Sequence, residues 1–194
     1  HKMNIFNIQN LKSPTLENTQ QAGWNIETMF QADDFLYLGS TRGMYIYSLE
    51  NPSLPEYVSE FVHWESCDPV VVDGDYAYVT LRGGNSCGAT ESGLFIVDIS
   101  DITTPVLAKM YAMDGPYGLG VKDEKVFICD GESGLKVYDK TDIEDLELIN
   151  HFKDIVTFDV IPREENLLMI GDDVLYQYKY LEDGIELLSK LNLE

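Results

Sequence analysis

This chain repeats itself, and the repeat restricts the fold more than any other feature of the sequence. Sliding the chain along its own length aligns five segments. They are Lys2-Met-Asn-Ile-Phe-Asn-Ile-Gln-Asn-Leu11, Gly43-Met-Tyr-Ile-Tyr-Ser-Leu-Glu-Asn-Pro52, Gly93-Leu-Phe-Ile-Val-Asp-Ile-Ser-Asp-Ile102, Gly134-Leu-Lys-Val-Tyr-Asp-Lys-Thr-Asp-Ile143 and Asp173-Val-Leu-Tyr-Gln-Tyr-Lys-Tyr-Leu-Glu182. Successive copies begin 41, 50, 41 and 39 residues apart, so one interval carries an insertion.

Each interval holds four short apolar runs. In one of them these are Tyr117 to Val121, Lys125 to Cys129, Leu135 to Tyr138 and Glu147 to Phe152. Runs of this length, rich in Val, Ile, Tyr and Phe and bounded by Gly, Asp and Asn, read as strands. No stretch keeps a 3.6-residue apolar period long enough for a helix. The expected fold is all-β: a β-propeller of four-stranded antiparallel blades, since a lone four-stranded sheet leaves both faces wet and radial stacking buries them. Residues 1–194 then form a single propeller with complete blades at 24–63, 64–113, 114–153 and 154–194. The second of these holds the insertion, 81–92. Residues 1–23 supply only an outer half-blade, so the chain is expected to be the C-terminal portion of a larger propeller whose N-terminal blades it lacks.

Charge narrows the partners. With 34 acidic and 13 basic residues the formal net charge is −21, and a field of that sign repels phosphate backbones. Nucleic acid is therefore not expected; cations, basic proteins and neutral glycans stay open as partners. No apolar run approaches the roughly 20 residues of a membrane-spanning helix, so membrane insertion by this chain is not expected either. The opening His1-Lys2-Met3 has no signal-peptide pattern behind it, and suggests that something upstream was removed or left out.

The copy Gly93-Leu-Phe-Ile-Val-Asp-Ile-Ser resembles the LVIVD repeat of bacterial and archaeal surface proteins. Leu94 to Asp98 is the strongest match and Leu135 to Asp139 the next; the Asp173 copy departs most, with Gln177-Tyr178 in place of Val-Asp. Ser66 to Asp75, followed by Tyr78 to Arg82, is similar to envelope lipoproteins of Bacteroides-like bacteria. The resemblance implies propeller blades, an extracellular or cell-envelope location and a lipid anchor upstream. It implies no particular activity.

Three cysteines bear on compartment: Cys67, Cys87 and Cys129. Cys67 opens the first strand of its blade and Cys87 lies in the insertion after the second strand, at the same end of an antiparallel sheet. The two are expected to form a disulfide that pins Gly83-Gly84-Asn85-Ser86, the alternative being three reduced thiols. Cys129, after Val126-Phe-Ile on a central strand, reads as a small buried hydrophobe.

No catalytic constellation is present: His1, His63 and His151 share no ligand spacing. Carboxylates converge instead. Alignment of the blades brings Glu27, Asp68, Tyr117 and Phe158 to one place early in the innermost strand. Asp114, Asp154 and the turn residues Asp130, Glu132, Asp172 and Asp173 lie on the same face. Glu27, Asp68 and Asp114 are candidate ligands for Ca²⁺, which takes six to eight oxygens; solvated turns are the competing account. Trp24, Trp64 and Tyr117 are candidates for stacking on sugars or anchoring proteins, with inter-blade packing as the alternative. Arg82 closes the second strand of the inserted blade, where it meets either a ligand or a neighbouring carboxylate. The expected function is a non-enzymatic cell-surface binding or scaffold module that engages a protein or glycan through this face and has no cofactor. A cation-dependent hydrolase or lyase using carboxylates such as Glu27 and Asp68 is the alternative.

Overall fold

The computed structural model of the chain describes residues 2–62, 69–84 and 91–193. Strands β1 (Lys2–Asn7) and β2 (Thr15–Gln21) pair as a two-stranded ladder. Four four-stranded sheets follow. They are β3 (Ile26–Ala32), β4 (Phe35–Ser40), β5 (Gly43–Ser48) and β6 (Glu56–Val62); β7 (Val70–Asp73), β8 (Tyr76–Leu81), β9 (Gly93–Asp98) and β10 (Val106–Ala112); β11 (Leu119–Lys122), β12 (Lys125–Cys129), β13 (Leu135–Asp139) and β14 (Glu147–Phe152); and β15 (Thr157–Pro162), β16 (Asn166–Gly171), β17 (Val174–Leu181) and β18 (Gly184–Asn192). Each sheet is an antiparallel meander in chain order. The first strands of successive sheets, β3, β7, β11 and β15, lie side by side, so the sheets fan out as propeller blades around them.

The repeat signature has local physical causes. In three blades the first and second strands join through two-residue loops whose leading residues, Asp33, Gly74 and Asp123, have φ of 48°, 56° and 52°. Such loops match the twist of the strands, and Asp and Gly tolerate that backbone. In three blades a glycine at the start of the third strand is fixed by the fourth strand: a Cβ on Gly43 would lie 2.0 Å from the Phe61 carbonyl oxygen. The Asp that ends the third strand starts a turn. Asp98 accepts hydrogen bonds from the Ser100 amide (2.9 Å) and hydroxyl (2.6 Å), and Asp139 accepts the same pair from Thr141. Three residues further on, Asp101 repeats the device with Thr103. These carboxylates are built into backbone turns, which accounts for part of the acidity.

Each fourth strand carries a β-bulge at one place, where Glu17, Val58, Ala108, Ile149 and Leu188 face no partner. The bulge aims the next residue at the following blade. The Asn18 amide donates to the Ser53 carbonyl (2.9 Å), the Ser59 hydroxyl donates to the Ile102 carbonyl, and Asn150 accepts from the Ile185 amide (2.8 Å). Around these bonds lie four apolar cores, one at each contact between neighbouring blades. Ile46, Leu94, Ile96, Val126, Leu135 and Val137 are wholly buried there. Burying each such side chain stabilises by roughly 1.5–3 kcal/mol.

The ladders correct one alignment. The expected last copy began at Asp173, but Gln177 pairs with Ser189 as Val137 pairs with Asn150, so the copy begins at Val174. Asp173, with φ of 54°, is instead the turn residue before it. A one-residue slip in a strand exchanges its two faces, so Tyr176 and Tyr178 point back into the core shared with the preceding blade.

Candidate functional site

A repeat supplies its own controls: features present in every blade serve the fold, and those found once call for another account. One polar group occurs once. Where the other complete blades place Ser40, Leu81 and Gly171, the β11–β14 blade has Asp130, and where they place Tyr45, Phe95 and Tyr176 it has Lys136.

The Asp130 side chain is completely buried. One oxygen accepts from the Gly115 amide (2.7 Å); the other accepts from the Asp114 amide (3.2 Å) and from Lys136 Nζ. Lys136, itself almost enclosed, also donates to Asp114 (3.1 Å). Burial acts to lower the Lys136 pKa, but its bonds to Asp130 and Asp114 prevail and the net shift is upward. Asp114 is mostly exposed, and hydrogen bonds from Ser133 and Lys136 hold its carboxyl below the usual range. The network thus fixes the connection from β10 to β11 against the turn from β12 to β13, and presents an ionised Asp114 at the surface.

Beside it opens a cavity of about 340 Å³ lined by Arg82, Asp114, Tyr117, Asp130, Glu132 and Ser133 together with Gly83, Gly115 and Gly131. Arg82 Cζ lies 3.9 Å from the centre of the Tyr117 ring. Tyr117 in turn packs edge-on against Phe158 at 5.2 Å, and its carbonyl accepts from the Thr80 hydroxyl at 2.6 Å. The ring face offered as a stacking platform is thus taken by Arg82 in a cation–π contact.

Arg82, Asp114 and Tyr117 therefore meet in one cavity, on the face formed by the connections between blades and between second and third strands. Trp24 and Glu27 do not line it. Trp24 is 56% exposed just ahead of β3, and Glu27 is exposed on β3. Trp64, Asp68, Cys67 and Cys87 lie outside the described residues. Among the described residues no three His, Cys, Asp or Glu side chains converge as metal ligands. Cys129 is fully buried, and that burial pushes its thiol far up. Lys136 is the lone charge at a position where the other complete blades have the aromatics Tyr45, Phe95 and Tyr176. Asp130 is expected from sequence only as one of the turn carboxylates on this face; its enclosure and its pairing with Lys136 are findings of the structure.

A second, larger cavity of about 540 Å³ at the opposite end lies between the Asp73 to Tyr76 turn and the Lys140 to Ile143 loop, bridged by Lys140 and Asp73 at 2.6 Å. It is built from turns that recur in the other blades.

Comparison with known proteins fits this architecture. A sequence model of the LVIVD repeat matches residues 66–113, the blade of β7 to β10. A functionally unknown protein from Desulfotomaculum acetoxidans superposes with a TM-score of 0.79 at 8% identity, over 98% of this chain and 63% of its own. A protein from Lactobacillus plantarum superposes with a TM-score of 0.74 at 12% identity, over 94% of this chain and 60% of its own. AztD from Citrobacter koseri does so at 0.62 and 14% identity, over 90% and 49%. The chain thus spans less than two thirds of the length of each, and the likeness is one of fold. No curated protein sequence matches the chain. The molecule is a β-propeller array that carries an LVIVD repeat.

Proposed function

We propose that the chain is a non-enzymatic binding module, displayed at the cell envelope, that captures a protein partner by a basic side chain entering the Arg82–Asp114–Tyr117 cavity. The carrying observation is the fixed Asp114 carboxylate: a buried Asp130–Lys136 pair that no other blade possesses holds it in place, ionised, at the cavity rim. Glu132 lies at the same rim. Preorganised acceptors of this kind favour a charge-assisted hydrogen bond from Lys or Arg. The net charge of −21 speeds the approach of a basic partner.

Three features weigh against the other readings. Arg82 covers the Tyr117 ring, which removes the stacking surface a sugar would use here. An acid catalyst needs a carboxyl whose pKa is raised, and Asp114 is shifted the other way. Both Asp130 oxygens are already engaged by protein donors, so the organic cation fits better than Ca²⁺.

The test is calorimetric titration with short peptides that carry a single Lys or Arg among neutral residues, against Asp114→Asn and Glu132→Gln. Binding of the basic peptides that falls at least about tenfold in Asp114→Asn, with neutral peptides inert, supports the reading. Equal affinity of wild type and Asp114→Asn for every peptide would remove it.

A further inference from the structure

Arg82 is the one basic side chain among the described residues that line the Asp114 cavity, and it departs from the repeat as plainly as the buried pair does. It directly follows the position shared by Ser40, Leu81, Asp130 and Gly171, and the other complete blades place Thr41, Gly131 and Asp172 there. No other complete blade has a cation at this point. Two departures from the repeat therefore meet in one cavity. Arg82 comes from the blade of β7 to β10, and the Asp114–Asp130–Lys136 network belongs to the blade that follows and the connection leading into it.

Arg82 meets the Tyr117 ring with the face of its guanidinium, Cζ lying 3.9 Å from the ring centre. Stacking of this kind fixes the plane of the group and consumes none of its N–H donors, which radiate within that plane. The ring is itself anchored. The Tyr117 amide donates to the Cys129 carbonyl at 2.7 Å, its carbonyl accepts from Thr80, and the ring packs edge-on against Phe158. Among the described residues no carboxylate forms an ion pair with Arg82. The guanidinium is thus preorganised to receive a carboxylate through two parallel N–H bonds.

We infer that the cavity binds the end of a polypeptide: a C-terminal Lys or Arg whose side chain is held at Asp114 and Glu132 while its terminal carboxylate lies against Arg82. Such an end supplies the basic side chain already proposed, on which this assignment rests, and adds a second charge to it. An anion alone enters against a net charge of −21, so a carboxylate has to arrive with a cation of its own. At about 340 Å³ the cavity lies at the small end of ligand sites, which run from roughly 300 to 1,000 Å³. It suits a residue at which the chain stops better than one where the chain must enter and leave again. Opposite charges in so small a space match a residue that carries both, and the last residue of a basic peptide does.

Calorimetric titration with two N-acetylated peptides that end in Lys, one as the free acid and one as the amide, tests this. The wild-type chain is expected to bind the acid at least about tenfold more tightly than the amide. Arg82→Gln is expected to abolish that preference by weakening the acid form. Arg82→Lys, which keeps the charge but not the planar fork, is expected to leave it in between. Asp114→Asn is expected to weaken acid and amide alike. Equal wild-type affinity for acid and amide overturns the inference without any variant having to fold. If Asp114→Asn then weakens both peptides, capture of a basic side chain still stands; if the wild type binds neither peptide, both readings fall. Free lysine bound as tightly as the acid peptide assigns the cavity to a free amino acid and overturns the chain end.

Discussion

Lys136 donates to Asp130, a carboxylate with no solvent contact, and the pair ties a connection between blades to a turn within one. Removing one partner strands the other. Asp130→Ala leaves a buried ammonium held only by Asp114 and frees the amides of Asp114 and Gly115. The expected loss is about 3–5 kcal/mol in urea unfolding. The double variant Asp130→Ala with Lys136→Met should recover much of it, since no buried charge remains. Equal losses in the single and double variants would show that the pair is not coupled.

Acid should destabilise the protein from about pH 4 downward. Hydrogen bonds within turns lower the pKa of Asp98, Asp101 and Asp139, and those from Ser133 and Lys136 lower that of Asp114. A carboxyl whose folded pKa lies below the unfolded value of about 3.9 gives its full stabilisation above that value. It loses it as pH falls through the folded one. Lys136 is shifted upward, so its share is lost only in strong alkali. Melting midpoints measured from pH 7 to pH 2.5 should be level, then fall; replacing Asp98, Asp101 and Asp139 together by Asn should flatten the fall.

Two glycines should respond oppositely to substitution. A Cβ on Gly134 would sit 1.8 Å from the Phe152 carbonyl oxygen, at φ of 87°. Gly134→Ala is therefore expected to cost at least about 2–3 kcal/mol. Gly74, at φ of 56°, has nothing within 4 Å of such an atom, and Asp33 and Asp123 fill the equivalent place. Gly74→Asn should change stability by no more than about 0.5 kcal/mol. Denaturant midpoints of the two variants decide it.

Cys129 should be inert in the native protein. It is fully buried and burial drives its thiol pKa far upward, so almost no thiolate exists at pH 8. Iodoacetamide followed by peptide mass mapping should modify Cys129 only in denaturant. Rapid labelling of the folded chain at this residue would contradict the packing.

The blades were legible because the devices that shape them are local. The glycine opening a strand, the Asp-Gly or Asp-Asp turn, and the Asp followed two residues later by Ser or Thr all act within a few residues of themselves. The last copy was misplaced by one residue because Val174 stands where the signature has glycine, so no glycine marks its start, and only the pairing of Gln177 with Ser189 reveals the slip. The site was legible in part. Arg82, Asp114 and Tyr117 meet because the repeat fixes which ends of which strands share a face. The use of Arg82 against the Tyr117 ring, and the enclosure of Asp130, depend on contacts across 16 to 37 residues of sequence, which no local pattern encodes.

The apolar cores lie between blades and not within them. No single blade therefore owns a core, and none can leave the array without opening the core of a neighbour. Mechanically the molecule is a laminate. Under heat, force or protease it should come apart in paired layers from whichever edge is exposed, and a partner that covers an edge clamps the whole stack.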